Sequence, residues 1–148
     1  MKELTEIRKE LMDQHASLKL LAAKVRDLAE RPSGAASRDR LSGILHELGD
    51  GIDAHNAREE HLLGEALPTL DAWGPERLAR MDDHHREEHR EIAERVRAAA
   101  EFPEFPAVVN AALPAIEELM AHMRQEEKDF LGRDLLRDDV INIHQSDG

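Results

Sequence analysis

The stretch HNAREEHLL at residues 55–63 carries the pattern from which the fold is predicted. His55 and Glu59 are four residues apart, so on an α-helix they lie on the same face. Ile52 and Leu62 extend this face in both directions, and apolar residues at such spacing point into a core. A histidine and a carboxylate on the buried side of a helix are costly to desolvate. The pattern therefore indicates that something in the interior neutralises them.

Three other segments of the 148-residue chain show the same helical spacing, apolar at both ends and polar in the middle. Breaks containing Pro with Gly, Ser or acidic and aromatic residues separate the four segments at 31–37, 67–75 and 101–106. The residues on the four faces are Leu4, Ile7, Leu11, His15, Leu18, Ala22 and Val25; Leu41, Leu45, Leu48, Ile52, His55, Glu59, Leu62 and Ala66; Leu78, Met81, His85, His89, Ile92 and Val96; and Ala112, Ile116, Leu119, His122, Glu126 and Phe130. We predict an all-α, up-down-up-down four-helix bundle over residues 1–137 and a loose tail over 138–148.

Three residues interrupt the predicted helices. Gly49 and Gly51 lie inside the second segment, and each costs about 1 kcal/mol relative to alanine in a helix. Pro114 lies inside the fourth segment, where we expect the helix either to kink or to begin.

The composition excludes several classes of function. A formal net charge of −12 disfavours nucleic acid as a partner, because phosphate binding needs a concentrated basic face. No stretch approaches the roughly 18 apolar residues of a membrane span, and the N-terminus lacks a secretory apolar region, so we expect a cytoplasmic protein with no membrane partner. The absence of cysteine excludes disulfides, thiolate metal sites and thiol catalysis. The oligomeric state is left open.

Five imidazoles and two carboxylates are predicted to meet at one level of the bundle. They belong to His15, His55, Glu59, His85, His89, His122 and Glu126. The stretch HMRQEEKDF at 122–130 repeats the His-x-x-x-Glu-Glu pattern of 55–63, so the second and fourth helices contribute matching pairs. Two divalent cations bridged by carboxylates would neutralise this set, which has too many ligands for one tetrahedral zinc. Imidazole and carboxylate without thiolate suit iron, manganese or zinc.

Each of these residues taken alone has a more ordinary interpretation. A single histidine on an apolar face, such as His15, is more often a hydrogen-bonded core residue, and a His–Glu pair at this spacing is usually a surface hydrogen bond. The common position of the polar residues at mid-length on all four helices favours the metal site. His84 faces about 100° away from His85 and is expected near the surface or behind the ligands.

The order of these residues resembles the hemerythrin family, in its bacterial HHE-type single-domain form, over residues 4–136. Ferritin-like di-iron proteins instead carry Glu-x-x-His, and none of the nine histidines has a glutamate three residues before it. The resemblance implies a centre of two non-haem iron ions with an oxo or hydroxo bridge. It also implies that the seven residues above hold this centre and that one iron keeps an open position for dioxygen or a related small ligand.

One position departs from the pattern of the oxygen-carrying hemerythrins, which place an aspartate five residues after the last histidine. Here Glu126 follows His122 at four residues and Glu127 at five. On a helix these lie about 40° and about 140° from His122, respectively. We therefore choose Glu126 as the bridging carboxylate and keep Glu127 as the alternative.

Several functions remain open at this stage. The centre could bind dioxygen, nitric oxide or peroxide for sensing, buffering or stress protection. It could belong to an enzyme that decomposes peroxide or reduces nitric oxide, or to an iron-handling protein, and a metal-free interaction module is the remaining alternative. The chain has no tyrosine, which excludes a tyrosyl radical.

Overall fold

The described part of the chain consists mainly of four α-helices and one π-helical turn. A computed structural model describes residues 3–32, 34–66, 68, 75–76 and 85–129, and all their side chains except those of residues 85, 86 and 129. The helices are α1 (Leu4–Glu30), α2 (Ser37–Ala66), α3 (Arg90–Ala100) and α4 (Phe105–Asp129), and a π-helical turn (His85–His89) leads directly into α3. The predicted all-α bundle is confirmed.

The connections agree with the predicted breaks where the structure describes them. Residues 31–36 and 101–104 separate helices, as predicted from their composition. Most of the break at 67–75 and all of the predicted tail at 138–148 lie outside the described residues. The helix α4 begins at Phe105 and continues through the exposed Pro114, so the proline lies within the helix rather than at its start.

Neighbouring helices run antiparallel. His15 of α1 contacts His55 of α2, while Leu18, further along α1, lies against Gly51, which is earlier in α2. Contacts between α2 and α3, and between α3 and α4, likewise join later residues of one helix to earlier residues of the other, so these pairs are also antiparallel. Antiparallel packing explains how polar residues in the middle of separate segments come to one level of the bundle.

The predicted core is confirmed by burial. Every apolar residue assigned to a buried face is buried wherever the structure describes its side chain, and Leu78, Met81 and Phe130 lie outside the described residues. The sequence pattern missed Leu63, Val108 and Met123, which are also buried. Within the described ranges, no helix is both long and apolar enough to cross a membrane.

The two glycines inside α2 mark close approaches to neighbouring helices. A Cβ atom at Gly49 would lie 2.9 Å from Cγ of Arg97, and one at Gly51 would lie 3.0 Å from Cδ2 of Leu18. The Arg97 guanidinium crosses Gly49 and ends on Asp50, with Nη2 2.9 Å from its carboxylate. The helix propensity lost at the two glycines is therefore accompanied by tight packing of α2 against both α1 and α3.

Candidate metal centre

Four buried side chains from three helices converge near the middle of the bundle. His15 comes from α1, His55 and Glu59 from successive turns of α2, and Glu126 from the last turns of α4. One ligand atom from each lies within 4.8 Å of those from the other three. None of the four residues is more than 4% exposed. The structure therefore brings together four of the seven residues that the sequence predicted as ligands.

The carboxylate of Glu126 faces imidazoles on two sides. Its Oε2 atom lies 3.0 Å from Nε2 of His15, and its Oε1 atom lies 2.5 Å from Nε2 of His89. One oxygen thus faces the four-residue cluster and the other faces His89 beside it, which is an arrangement suited to a carboxylate that bridges two cations.

The pair from α2 completes the same side of the cluster. Nε2 of His55 lies 2.7 Å from Oε2 of Glu59 and 3.0 Å from Nε2 of His15. The Glu59 oxygen is also 4.0 Å from Nε2 of His15. Two imidazole nitrogens and two carboxylate groups therefore surround one small volume.

The other ring nitrogen of each buried histidine faces away from the cluster and donates to an oxygen. Nδ1–H of His55 donates to the Gln14 side-chain oxygen at 2.6 Å, and Nδ1–H of His89 donates to the Asn56 oxygen at 2.6 Å. The third, Nδ1–H of His15, donates to Oε1 of Glu127 at 3.2 Å. Metal-bound histidines usually make such a bond, because it fixes the ring and the tautomer.

These outward bonds decide what the inward nitrogens can do. A neutral imidazole with its proton on Nδ1 carries a lone pair on Nε2, which cannot donate to a carboxylate. An Nε2 lone pair that faces a carboxylate oxygen at hydrogen-bond distance is repelled unless a positive charge lies between the two atoms or on one of them. That charge is either a second ring proton or a metal cation, so the donor set fits a bound metal.

His55 is a residue at which a second ring proton, rather than a metal cation, can supply this positive charge. Burial lowers its pKa, but hydrogen bonds to Glu126 and Glu59, together with their negative charges, outweigh burial and raise the pKa to about 9. The same two carboxylates that hold a proton on His55 would hold a cation in its place.

His122 and the π-helical turn form a more exposed flank of the cluster. The rings of His122 and His89 meet edge to face, with centroids 5.0 Å apart, and Nε2 of His122 lies 2.9 Å from Oε2 of Glu88. The His122 side chain is 22% exposed and that of Glu88 is 46% exposed. Burial and the nearby His89 ring hold the pKa of His122 below its usual value, against the opposing effect of Glu88.

The π-helical turn (His85–His89) replaces the regular helix predicted from the spacing of His85 and His89. Turns of this kind are rare and occur frequently at functional sites. Here the turn places His89 against Glu126 and Glu88 against His122. The side chain of His85 and all of His84 lie outside the described residues.

Several residues of the site had not been predicted. Gln14 and Asn56 are sequence neighbours of His15 and His55, yet each binds a histidine on another helix. A residue next to a ligand faces about 100° away on its own helix, so it can reach a ligand of the neighbouring helix. The sequence feature that could have identified Gln14 and Asn56 is a polar residue directly beside a predicted ligand. Glu127 lies outside the four-residue cluster and contacts Lys19 and the outer nitrogen of His15.

Comparison with known families agrees with this geometry. The family model described as the hemerythrin HHE cation binding domain matches residues 6–133. The chain belongs to this hemerythrin family. Membership confirms the resemblance seen in the sequence, and it makes this hemerythrin-like chain a metal-binding protein of a family in which the metal is usually iron. No curated protein and no solved structure matches the chain.

Proposed function

We propose that this hemerythrin-like protein holds two iron ions at its polar layer and binds dioxygen or a related small ligand there, such as nitric oxide or peroxide. The observation that supports the proposal is the orientation of three buried histidines. Their Nδ1–H groups are fixed outward on oxygen acceptors, while their Nε2 atoms face shared carboxylates.

The proposed ligands divide into two groups around Glu126. His15 and His55 would hold one ion with Oε2 of Glu126, and His89 would hold the other with Oε1. His122, whose ring meets that of His89, would join the second ion. Glu59, beside His55, would be the other bridging carboxylate that the hemerythrin resemblance implies. His85, whose side chain lies outside the described residues, would be the remaining ligand. If the set is completed by a bridging oxygen, the ion of His89 would have more donors than the ion of His15 and His55. The small ligand would then bind beside His15 and His55, which are the most buried side of the cluster.

The iron ions, when bound, would supply reversible one-electron chemistry and an open coordination position. The chain's own residues do the remaining work. Gln14, Asn56 and Glu127 hold the three rings in place with the Nδ1 proton outward, so that each Nε2 atom faces the position of a cation.

The test is a stopped-flow experiment on the reduced, iron-loaded protein. We expect about two irons per chain and a long-lived absorption change on mixing with oxygen or nitric oxide. Rapid multiple turnover of peroxide would instead show an enzyme, and stable iron loading with no response to any of the three ligands would show an iron-handling protein. One zinc and no iron after expression in iron-replete cells would overturn the proposal, whereas two manganese ions would retain the site and change its chemistry.

A further inference from the structure

One of the three buried histidines differs from the others in its outward partner. His55 and His89 each donate to a neutral side-chain amide, from Gln14 and Asn56. His15 instead donates to the carboxylate of Glu127, with Nδ1 3.2 Å from Oε1. The same Oε1 atom accepts a hydrogen bond from Nζ of Lys19 at 2.9 Å. His15, Glu127 and Lys19 therefore form a connected line from the buried cluster to the half-exposed edge of the bundle.

A carboxylate and an amide affect a donating imidazole differently. A charged acceptor draws the Nδ1 proton more strongly and leaves more electron density on Nε2, which makes the ring a stronger donor to a cation. The ammonium of Lys19 reduces this gain in electron density on Nε2, because its positive charge offsets the charge of the same carboxylate oxygen at close range. The two charges thus act on His15 in opposite directions.

The Glu127 carboxylate serves two donors at once, the ammonium of Lys19 and Nδ1–H of His15. Its side chain is about one-fifth exposed and that of Lys19 is about one-third exposed, so both keep contact with solvent. The Glu127 carboxylate therefore lies between a partly exposed ammonium and the outer nitrogen of the buried His15 ring.

We propose that Glu127 and Lys19 are positioning residues that set the electron donation of His15 to the iron it binds, Glu127 increasing that donation and Lys19 limiting it. The inference rests on the proposed function, because it requires His15 to be a ligand. It assigns a role to the glutamate that the sequence left as the alternative bridging carboxylate. It also makes the His15 ring electronically distinct from His55, its partner on the same ion.

The test removes a negative charge in one variant and a positive charge in another, so that an electronic effect can be distinguished from loosened packing. The variants are Glu127→Gln and Lys19→Met, each close in shape to the residue it replaces. Their matched controls are Glu117→Gln on α4 and Lys24→Met on α1, which change the net charge equally at exposed positions. For each protein we would measure ferrous iron affinity against a competing chelator and the midpoint potential of the ferric–ferrous couple, followed by its charge-transfer absorption.

The two variants should move in opposite directions. Glu127→Gln should weaken iron affinity about 10- to 100-fold, the usual range for losing a partner of a metal-bound histidine, and raise the midpoint potential. Lys19→Met should lower the midpoint potential, because His15 then donates more strongly and favours ferric iron. Both controls should behave as the wild type does.

Shifts of the same sign in Glu127→Gln and Lys19→Met, or no shift in either, would overturn the inference, because packing damage or no coupling would explain them. If Glu127→Gln does not fold, Lys19→Met decides alone: a lowered potential supports the inference, and an unchanged or raised potential contradicts it. A wild-type protein that binds no iron would instead overturn the proposed function. These failures are distinguishable because the wild type is measured first.

Discussion

The two flanks of the candidate metal centre differ in burial, in charge and in backbone. On one flank His15 and His55 are buried between Glu59 and Glu126 on regular α-helices. On the other, His122 pairs with the half-exposed Glu88 beside a π-helical turn. The histidine pKa values shift in opposite directions, since carboxylates raise that of His55 whereas burial and His89 lower that of His122.

This difference shows how one layer of a bundle can offer two unequal positions. The buried flank concentrates negative charge in a volume that excludes water, which strengthens electrostatic attraction for a cation. The exposed flank keeps contact with solvent through Glu88. We therefore expect the buried flank to hold its ion more tightly and to control the binding of small ligands, and each prediction below can contradict or refine that expectation.

Removing the metal should have the largest effect, because both flanks lose their cation together. A ligand present at about 1,000 times its dissociation constant stabilises a protein by about 4 kcal/mol. For a domain of this size that corresponds to a shift in melting temperature of roughly 8 to 16 °C. Thermal unfolding of iron-loaded and chelator-treated protein, followed by circular dichroism, measures the difference. Equal melting temperatures would mean that the polar layer is neutralised without metal.

The next effect should come from Glu126, which is shared by both flanks. Glu126→Ala should lose at least one ion per chain and the iron-to-oxo absorption, because its two oxygens face His15 and His89 separately. Glu127→Ala should retain two ions at saturating iron, because its carboxylate lies on the outer side of His15. Metal analysis and absorption spectra of the two variants measure this. The reverse pattern would place the bridging carboxylate at Glu127 and would require a distorted turn in α4.

The sequence predicted the fold and much of the cluster for a common physical reason. Residues three and four apart share a helix face, so a histidine such as His55 on an apolar face must enter the core beside Glu59. Antiparallel packing then brings separate segments to one level. Spacing within one helix gives no information on contacts between helices, which is why the bonds from Gln14 and Asn56 were missed. The π-helical turn (His85–His89) was missed because its side chains have the spacing of a regular helix.

Substituting one histidine on each flank tests directly whether the two flanks differ in iron binding and ligand binding. His55→Ala leaves one imidazole on the buried flank, so it should reduce the iron content to about one ion and abolish the binding of nitric oxide or oxygen. His122→Ala leaves the buried flank intact, so it should retain ligand binding and lose affinity only for the second ion. Iron titration and ligand-binding spectra provide the comparison, with the exposed His61→Ala as control. Loss of ligand binding in His122→Ala and its retention in His55→Ala would assign the open position to the other flank.

The smallest expected effect is the pH dependence of the metal-free protein, which isolates the proton held by the buried flank. The pKa of His55 is raised from 6.5 in the unfolded chain to about 9 in the folded one, so the folded state binds this proton more tightly. Its contribution to stability is fully present below pH 6.5 and declines as the pH rises, until it is lost above about 9. Denaturant unfolding of metal-free protein between pH 6 and 9.5 should show this decline, and His55→Gln should reduce it. In iron-loaded protein the cation replaces the proton, so the decline due to His55 should be absent. A decline of equal size in the loaded protein would mean that His55 keeps its proton and is not a ligand.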